Sequence, residues 1–467
     1  MLYIGGCIIM NYYLIGGTNM KITKLEIEKL HEEYDYSIKF DEKLTFLYGA
    51  NGAGKTTILN ILASIVTGKL YNLAEYEFDK IILYYRKAST KKGKATELIL
   101  KRGENDELVV SLNNEINYIE EFWNIREKLN RKSESDSIER TFAEMYPFSK
   151  LIKEIFNYAY LPLNRYGMSI DDEHEMYYRR RGRYMYASKN PYNTYLNESL
   201  FYIAEMIRDN CARISVEENG INNKFRQEVL TSSIQVSSKV QVNKILAEIE
   251  NGNWDVIVES KNAYIRTLEE IGIFNNEVAK QVETFFEEFR QEYEEHQSKK
   301  IDNSNGVTIN LVWQYSEFLK IKNITELAKE NERRKEIIRK PKETFLDVIT
   351  GFFKSSGSDK TIKISSEGMI YFETKGRRNK RKLSLTELSS GEKQIIIIFA
   401  SLIFGLQGDK AGIYIVDEPE ASLHLTWQSQ FVETILKINS NVQLIFATHS
   451  PELIGNYRKN AVKLEKK

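Results

Sequence analysis

The spacing of apolar positions divides the chain into three stretches of different character. Between residues 22 and 112, short apolar runs alternate with turns. Residues 22–27, 34–40, 44–48, 78–85, 97–101 and 108–112 read as strands, with the basic stretch 87–94 as a turn. Residues 57–66 carry apolar side chains at helical spacing and are expected to stop near Gly68. From about residue 119 the period changes. Residues 119–129 and 142–156 read as helices, the second broken at Pro147, and a short apolar run over 158–163 ends at its proline. Residues 199–353 read as amphipathic helix with long polar stretches at 276–296 and 326–339, and Pro341 is expected to interrupt the last of them. Heptads are not sustained far enough for a long coiled coil. Strand character returns after Lys360. Residues 368–374 and 382–385 form an expected hairpin across the basic loop 375–381, followed by an apolar helix over 395–404 and apolar strands over 413–418 and 442–449.

This pattern predicts an α/β core with a large, mainly α-helical insertion. The expected division is an N-terminal extension over 1–19, a first core lobe over 20–115, a mainly helical insertion over 116–355 and a second core lobe over 356–467.

Composition narrows the classes. In 467 residues, 66 basic side chains balance 66 acidic ones, so the chain as a whole is no electrostatic adhesive for nucleic acid, and any such contact must come from a local patch. The two cysteines, Cys7 and Cys211, are too few for a disulfide framework or a zinc site, which accords with a reducing, cytoplasmic setting. The five histidines include no close metal-binding pair. Residues 1–19 hold no charge, yet their glycines and the polar Asn11 and Thr18 oppose a membrane span, and no membrane partner is expected.

Chemistry concentrates in four places. The stretch Gly49, Ala50, Asn51, Gly52, Ala53, Gly54, Lys55, Thr56 fits G-x-x-x-x-G-K-[ST] between a strand and a helix. Glycines let successive N–H groups curl around phosphates, and the helix N-terminus beginning near Thr57 adds partial positive charge. Lys55 would reach the β- and γ-phosphates of ATP, and the Thr56 hydroxyl would hold Mg²⁺. Ser389, Ser390, Gly391 and Glu392 open the apolar helix, the serines as N-cap candidates, and make a second phosphate-gripping surface. Such a loop is not expected to reach a nucleotide held by its own chain's phosphate loop without refolding, so it is expected to serve the nucleotide of a second copy. The strand over 413–418 ends in Asp417, placed to hold Mg²⁺, and Glu418, placed as general base on the attacking water. The last strand ends in His449, positioned to hydrogen-bond the γ-phosphate.

Together GANGAGKT, LSSGEKQ, VDEPEASLH and ATHSP resemble the Walker A, signature, Walker B with D-loop, and switch-histidine motifs of ABC-type ATPases. Within that family the resemblance is to the branch holding RecF, SMC-like repair ATPases and OLD-like ATPases, the last including ATPase subunits of the PARIS, Septu and retron anti-phage systems. It covers residues 21–66 and 383–453. It implies an ABC-type P-loop core and an ATP-hydrolysing subunit that pairs around ATP and controls a separate effector, a nuclease in another chain, with nucleic acid or a phage protein as trigger. Two departures stand out. Leu423–His424 replaces the usual Leu-Asp, so that aspartate's contact across the pair does not carry over. No Q-loop glutamine is evident, with 161–165 the nearest region. OLD nucleases carry a Toprim domain after the ATPase, and the stretch after His449 is too short for one, hence the expectation of nuclease chemistry elsewhere. The arginine–tyrosine run over 177–186 suits phosphate or an acidic protein face. The alternatives are a RecF- or SMC-like ATPase acting on DNA ends or gaps, a transporter subunit, and an ATP-binding scaffold without turnover.

Overall fold

The computed structural model describes residues 20–88, 95–104, 106–113, 115–123, 142, 145–156, 158–161, 191–234, 245–249, 254–270, 274–301, 307–375, 380–405, 412–421 and 423–465. The extension over 1–19, the arginine–tyrosine run over 177–186 and residues 162–165 of the Q-loop region lie outside them. The chain divides into two compact units, one of Met1–Asn210 with Pro341–Lys467 and one of Cys211–Lys340.

Two sheets and one helix build the core of the first unit. β3 (Leu44–Tyr48), β8 (Tyr158–Leu161), β12 (Ile413–Asp417), β13 (Gln443–Ala447) and β14 (Ala461–Lys463) form a parallel sheet in the order β14-β3-β13-β12-β8. Strands β12 and β13 are buried at every position, so they read as unbroken apolar runs. A second sheet is antiparallel, ordered β2-β1-β4-β5-β6-β7, from β1 (Met20–Leu30), β2 (Tyr34–Lys39), β4 (Lys80–Lys87), β5 (Thr96–Arg102), β6 (Leu108–Leu112) and β7 (Glu115–Ile119). Helix α1 (Lys55–Val66) belongs to the same apolar core, with Ile58, Leu59, Ile61, Leu62 and Ile65 fully buried. Gln443 staples the sheets together. Its Oε1 accepts from the Ile22 N–H at 2.8 Å, and its Nε2 donates to the Ile22 and Asp41 carbonyls at 2.7 and 2.8 Å.

Three outcomes differ from the sequence reading. Residues 115–119 form strand β7, although the period there gave no strand, because the run pairs with β6 in register Leu108 to Ile119. Strand β8, grouped by sequence with the insertion, lies beside β12, with Ile413 opposite Tyr158. Pro341 does not end its helix: α6 (Ile309–Ser355) runs through it. The proline removes one backbone hydrogen bond and costs about 3 kcal/mol in a helix interior. Buried Phe345, Ile349, Phe352 and Phe353 beyond it and Thr325, Ala328 and Asn331 before it hold both halves in place.

Ahead of α6 come α2 (Phe148–Ile155), α3 (Pro191–Ile234), α4 (Trp254–Glu270) and α5 (Asn276–Ile301). In the second unit, Phe286, Phe289, Tyr315 and Phe318 centre a small apolar core. Asn331 donates to Asn222 at 3.5 Å, and Arg339 pairs with Glu218, which sets α3 and α6 antiparallel there. Within the first unit, a third sheet, ordered β11-β10-β9, comprises β9 (Thr361–Ile364), β10 (Ile370–Lys375) and β11 (Lys380–Leu383). It precedes α7 (Ser390–Ala400), and α8 (Leu425–Ile438) and α9 (Pro451–Ile454) complete the unit. Among the described residues no helix is long and apolar enough to cross a membrane.

Candidate functional site

Parallel register brings the chemistry to one edge. Asp417 stands opposite Ala447, which stands opposite Leu47, so β12, β13 and β3 end level. The phosphate loop, the Asp417–Glu418 pair and the histidine loop therefore leave the sheet side by side, where an open α/β sheet presents its ligand crevice.

The loop after β3 is shaped by glycine and braced by tyrosine. Gly52 and Gly54 take left-handed φ angles of 78° and 86°. Tyr36 of β2 is buried and donates its hydroxyl to the Ala53 carbonyl at 3.2 Å. A methyl group on Gly54 would meet that hydroxyl at 2.9 Å. Gly49 and Gly54 are partly exposed, Asn51 and Gly52 exposed, Ala53 buried, and Thr56 and Thr57 half-buried at the start of α1. The Lys55 ammonium folds back onto the loop, donating to the Gly49 and Ala50 carbonyls at 3.2 and 3.3 Å. Burial pushes its pKa down, while Glu418, Asp417 and Glu420 pull it back up, in that order.

Asp417 is the most perturbed carboxylate of the site. Its pKa rises from 3.8 to about 6, first because burial strips its water and further because Glu418 and Glu420 are close. The Thr56 hydroxyl and the Lys55 ammonium draw it partly down. Neither Asp417 oxygen completes a hydrogen bond of good geometry, and both are buried. Two orphaned carboxylate oxygens facing a threonine hydroxyl fit Mg²⁺, which takes one or two protein ligands and fills its octahedron with waters and substrate phosphates. Accordingly, no cluster of three acidic, histidine or cysteine side chains able to hold a metal unaided occurs among the described residues.

Glu418 carries φ 45°, a left-handed conformation rare for a residue with a side chain and frequent at functional sites. Its N–H is held by the Ala447 carbonyl at 2.9 Å, and its Oε1 lies 3.7 Å from His449 Nε2. Both side chains are partly exposed, so water can reach the pair.

Residues that sequence reasoning passed over organise this edge. Glu420 Oε1 accepts from Thr448 Oγ1 and the His449 N–H, each at 2.7 Å, and from the Ser450 N–H at 3.1 Å. Ser450 Oγ donates to Gln428 Oε1 at 2.6 Å. The signal was present in the acid after Pro419 and the polar Ser450 after the histidine, but an acid in a turn is common and nothing local tells where it points. His424 caps α8: its Nδ1 accepts from the Thr426 N–H at 3.3 Å.

The signature segment is built by a reciprocal cap. Ser389 Oγ accepts from the Glu392 N–H at 3.3 Å, and Glu392 Oε2 accepts from the Ser389 N–H at 2.9 Å. Lys360 donates to both Glu392 oxygens, at 2.7 and 2.9 Å. Ser389 and Ser390 are exposed, while Gly391 and Glu392 are buried. No hydrogen bond or ion pair among the described residues joins 389–392 to 49–57; the link to the site runs from Gln394 Nε2 to the Pro419 carbonyl at 3.4 Å.

Residues 254–455 match a family described as AAA domain, putative AbiEii toxin, Type IV TA system. Over 85 residues the chain is 33% identical to the Retron Ec83 probable ATPase of Escherichia coli, a match covering 16% of each chain. Over 146 residues it is 30% identical to the Retron Vc95 probable ATPase of Vibrio cholerae serotype O1 biovar El Tor, covering 29% of this chain and 27% of that one. The matched stretches thus span well under a third of these relatives' own lengths. Similar solved structures include the Smc head domain with an extended coiled coil bound to the C-terminal domain of ScpA from Pyrococcus furiosus. It is 13% identical at TM-score 0.40, covering 95% of this chain and 93% of that one. The recombination mediator RecF is 12% identical at TM-score 0.34, covering 94% and 95%. At these scores the likeness says nothing of function.

Proposed function

We propose, for a chain whose core is an ABC-type P-loop ATPase fold with a mainly helical insertion, that it binds and hydrolyses ATP between two copies of itself and uses that cycle to control a separate effector in anti-phage defence. One observation carries the nucleotide reading above the rest. Lys55, Asp417, Glu418 and Glu420 crowd one sheet edge with both Asp417 oxygens buried and orphaned, an arrangement that is costly unless a cation and phosphates complete it.

Each residue then has a task. The Gly52–Gly54 turn and the start of α1 present backbone N–H groups to the phosphates. Lys55 exchanges the Gly49 and Ala50 carbonyls for β- and γ-phosphate oxygens. Thr56 and Asp417 would hold Mg²⁺, which would neutralise charge on the phosphates. Glu418 takes a proton from the attacking water, and His449, 3.7 Å from it, donates to the γ-phosphate and keeps the water between them. Ser389, Ser390 and Gly391 would come from the second copy. The exposure of Ser389 and Ser390, and the lack among the described residues of any bond from 389–392 to their own phosphate loop, support that assignment. The defence role rests on the two retron-ATPase relatives, and the effector is by this reading a nuclease chain encoded nearby.

The test is native mass spectrometry of Glu418→Gln with ATP, purified with the products of neighbouring genes. A paired, ATP-loaded assembly carrying a second chain is expected. A monomer that binds ATP alone would overturn the pairing, and in the wild-type chain ATP turnover stimulated by DNA with a steep salt dependence would replace the defence role with DNA maintenance.

A further inference from the structure

We propose that Glu420 is a positioning residue that fixes His449 against Glu418 and joins the signature helix to the histidine loop. The inference rests on the assignment of Glu418 and His449 as the hydrolytic pair. Acids after a Pro are ordinary turn formers, and they satisfy their own turn or point to water. Glu420 does neither. Its turn closes without its side chain, through the Ala421 N–H to the Glu418 carbonyl at 3.0 Å and the Leu423 N–H to the Glu420 carbonyl at 2.9 Å. Its carboxylate instead reaches to the end of β13, where one oxygen gathers three donors from three consecutive residues, Thr448, His449 and Ser450.

Consecutive N–H groups converging on one point make an anion-binding concavity, and here the chain fills its own. Hydrogen bonds to an ionised acceptor are about twice as strong as neutral ones, so the loop backbone is fixed at the residue whose imidazole matters. Ser450 is held a second time by Gln428 and so cannot swing when His449 moves. On the other side of the same turn, Gln394 of the signature helix donates to the Pro419 carbonyl. A displacement of α7 on meeting a second copy therefore pulls on Pro419, shifts Glu420 and carries the 448–450 loop with it. The second oxygen, Oε2, is buried without a partner, so the carboxylate has an unused acceptor site into which it can rotate. Its charge also acts on Lys55, so the group feels whether the phosphate side of the site is neutralised.

Three variants separate reach from charge. Glu420→Gln keeps the length and one acceptor oxygen. Glu420→Asp keeps the charge and withdraws it by a methylene. Glu420→Ala leaves the His449 N–H without its acceptor, while the Ser450 N–H keeps Thr448 Oγ1 at 2.9 Å. Steady-state kinetics are expected to show kcat lowered about 10- to 100-fold in the Asp and Ala variants, with KM for ATP within about threefold of wild type and most of kcat retained in the Gln variant. A second readout needs no turnover. The chain has five histidines, so the His449 imidazole resonance can be assigned by comparison with His449→Gln in ¹³C-histidine-labelled protein. It is expected to move in the Asp and Ala variants and to stay near its wild-type position in the Gln variant. An unmoved resonance together with unchanged kcat per folded molecule overturns the proposal. Should the wild-type chain show no turnover at all, the hydrolytic assignment falls by itself, and the resonance still decides whether Glu420 positions the loop.

Discussion

Asp417 is held with both oxygens buried and unpaired, and its pKa is pushed from 3.8 to about 6, chiefly by loss of water. A carboxyl whose folded value lies above its unfolded one binds protons more tightly when folded. The metal-free protein therefore loses stability as pH rises from about 4 through about 6, by about 3 kcal/mol at pH 8 at 1.36 kcal/mol per unit. Asp417→Asn should accordingly raise the thermal midpoint of the nucleotide-free protein at pH 8 and give no gain at pH 4. The same substitution should erase the extra protection that Mg²⁺ adds to ATP, which thermal melts at both pH values with and without magnesium would read. A gain over wild type no larger at pH 8 than at pH 4 would mean that water reaches the carboxylate. Gly54 is a second residue-scale case. Gly54→Ala is expected to weaken ATP binding at least tenfold, because the left-handed backbone costs about 1–2 kcal/mol and the methyl meets Tyr36 Oη. Adding Tyr36→Phe should recover only the part due to that contact, as measured by ATP titration. The sequence shows Lys55, Thr56, Asp417, Glu418 and His449 because each sits in a short contiguous pattern. It does not show Tyr36 or Glu420, whose partners lie 17 and about 30 residues away and are chosen by the packing of whole strands.

Among the elements, α8 joins separate parts of the first unit. Trp427 stacks on Phe353 at 6.2 Å and donates its indole N–H to the Phe352 carbonyl at 2.7 Å, and Gln430 donates to Ser355 at 2.6 Å. The next residue, Gln428, holds the histidine loop through Ser450, so one helix grips both the end of α6 and the switch. Trp427→Phe keeps most of the apolar bulk but takes one donor from the Phe352 carbonyl, which keeps Ser355 Oγ at 2.8 Å, an expected loss of about 0.5–1.5 kcal/mol. It should show as a lower unfolding midpoint and as faster amide exchange over 350–357. No change in exchange there would mean that the α6 end is held by other contacts. Elements that carry their own period, such as α1, β12 and β13, were plain in the sequence. β7 and β8 were not: a short run is a strand only if a partner edge receives it, and those partners are β6 and, far along the chain, β12. The continuity of α6 through Pro341 was hidden for the same reason, since buried side chains on both sides override the local penalty.

For the whole molecule, everything turns on whether a site is complete in one copy or two. Ser389 and Ser390 stand exposed on a firmly capped helix end, while the phosphate loop, Asp417 and Glu418 stand at the sheet edge of the same unit with no bond between the two sets. If two copies supply each site, Lys55→Ala and Ser390→Arg are each inactive alone for different reasons. Mixing them creates pairs in which one site joins an intact phosphate loop from the Ser390→Arg copy to an intact signature helix from the Lys55→Ala copy. The most direct measurement is the ATPase rate of the two variants apart and mixed in equal amounts. The account predicts near-zero rates apart and, on mixing, a return of roughly a quarter of the wild-type rate, as random pairing with one intact site per mixed pair requires. Full activity of Ser390→Arg alone, or no recovery from two folded variants that still pair, would contradict it.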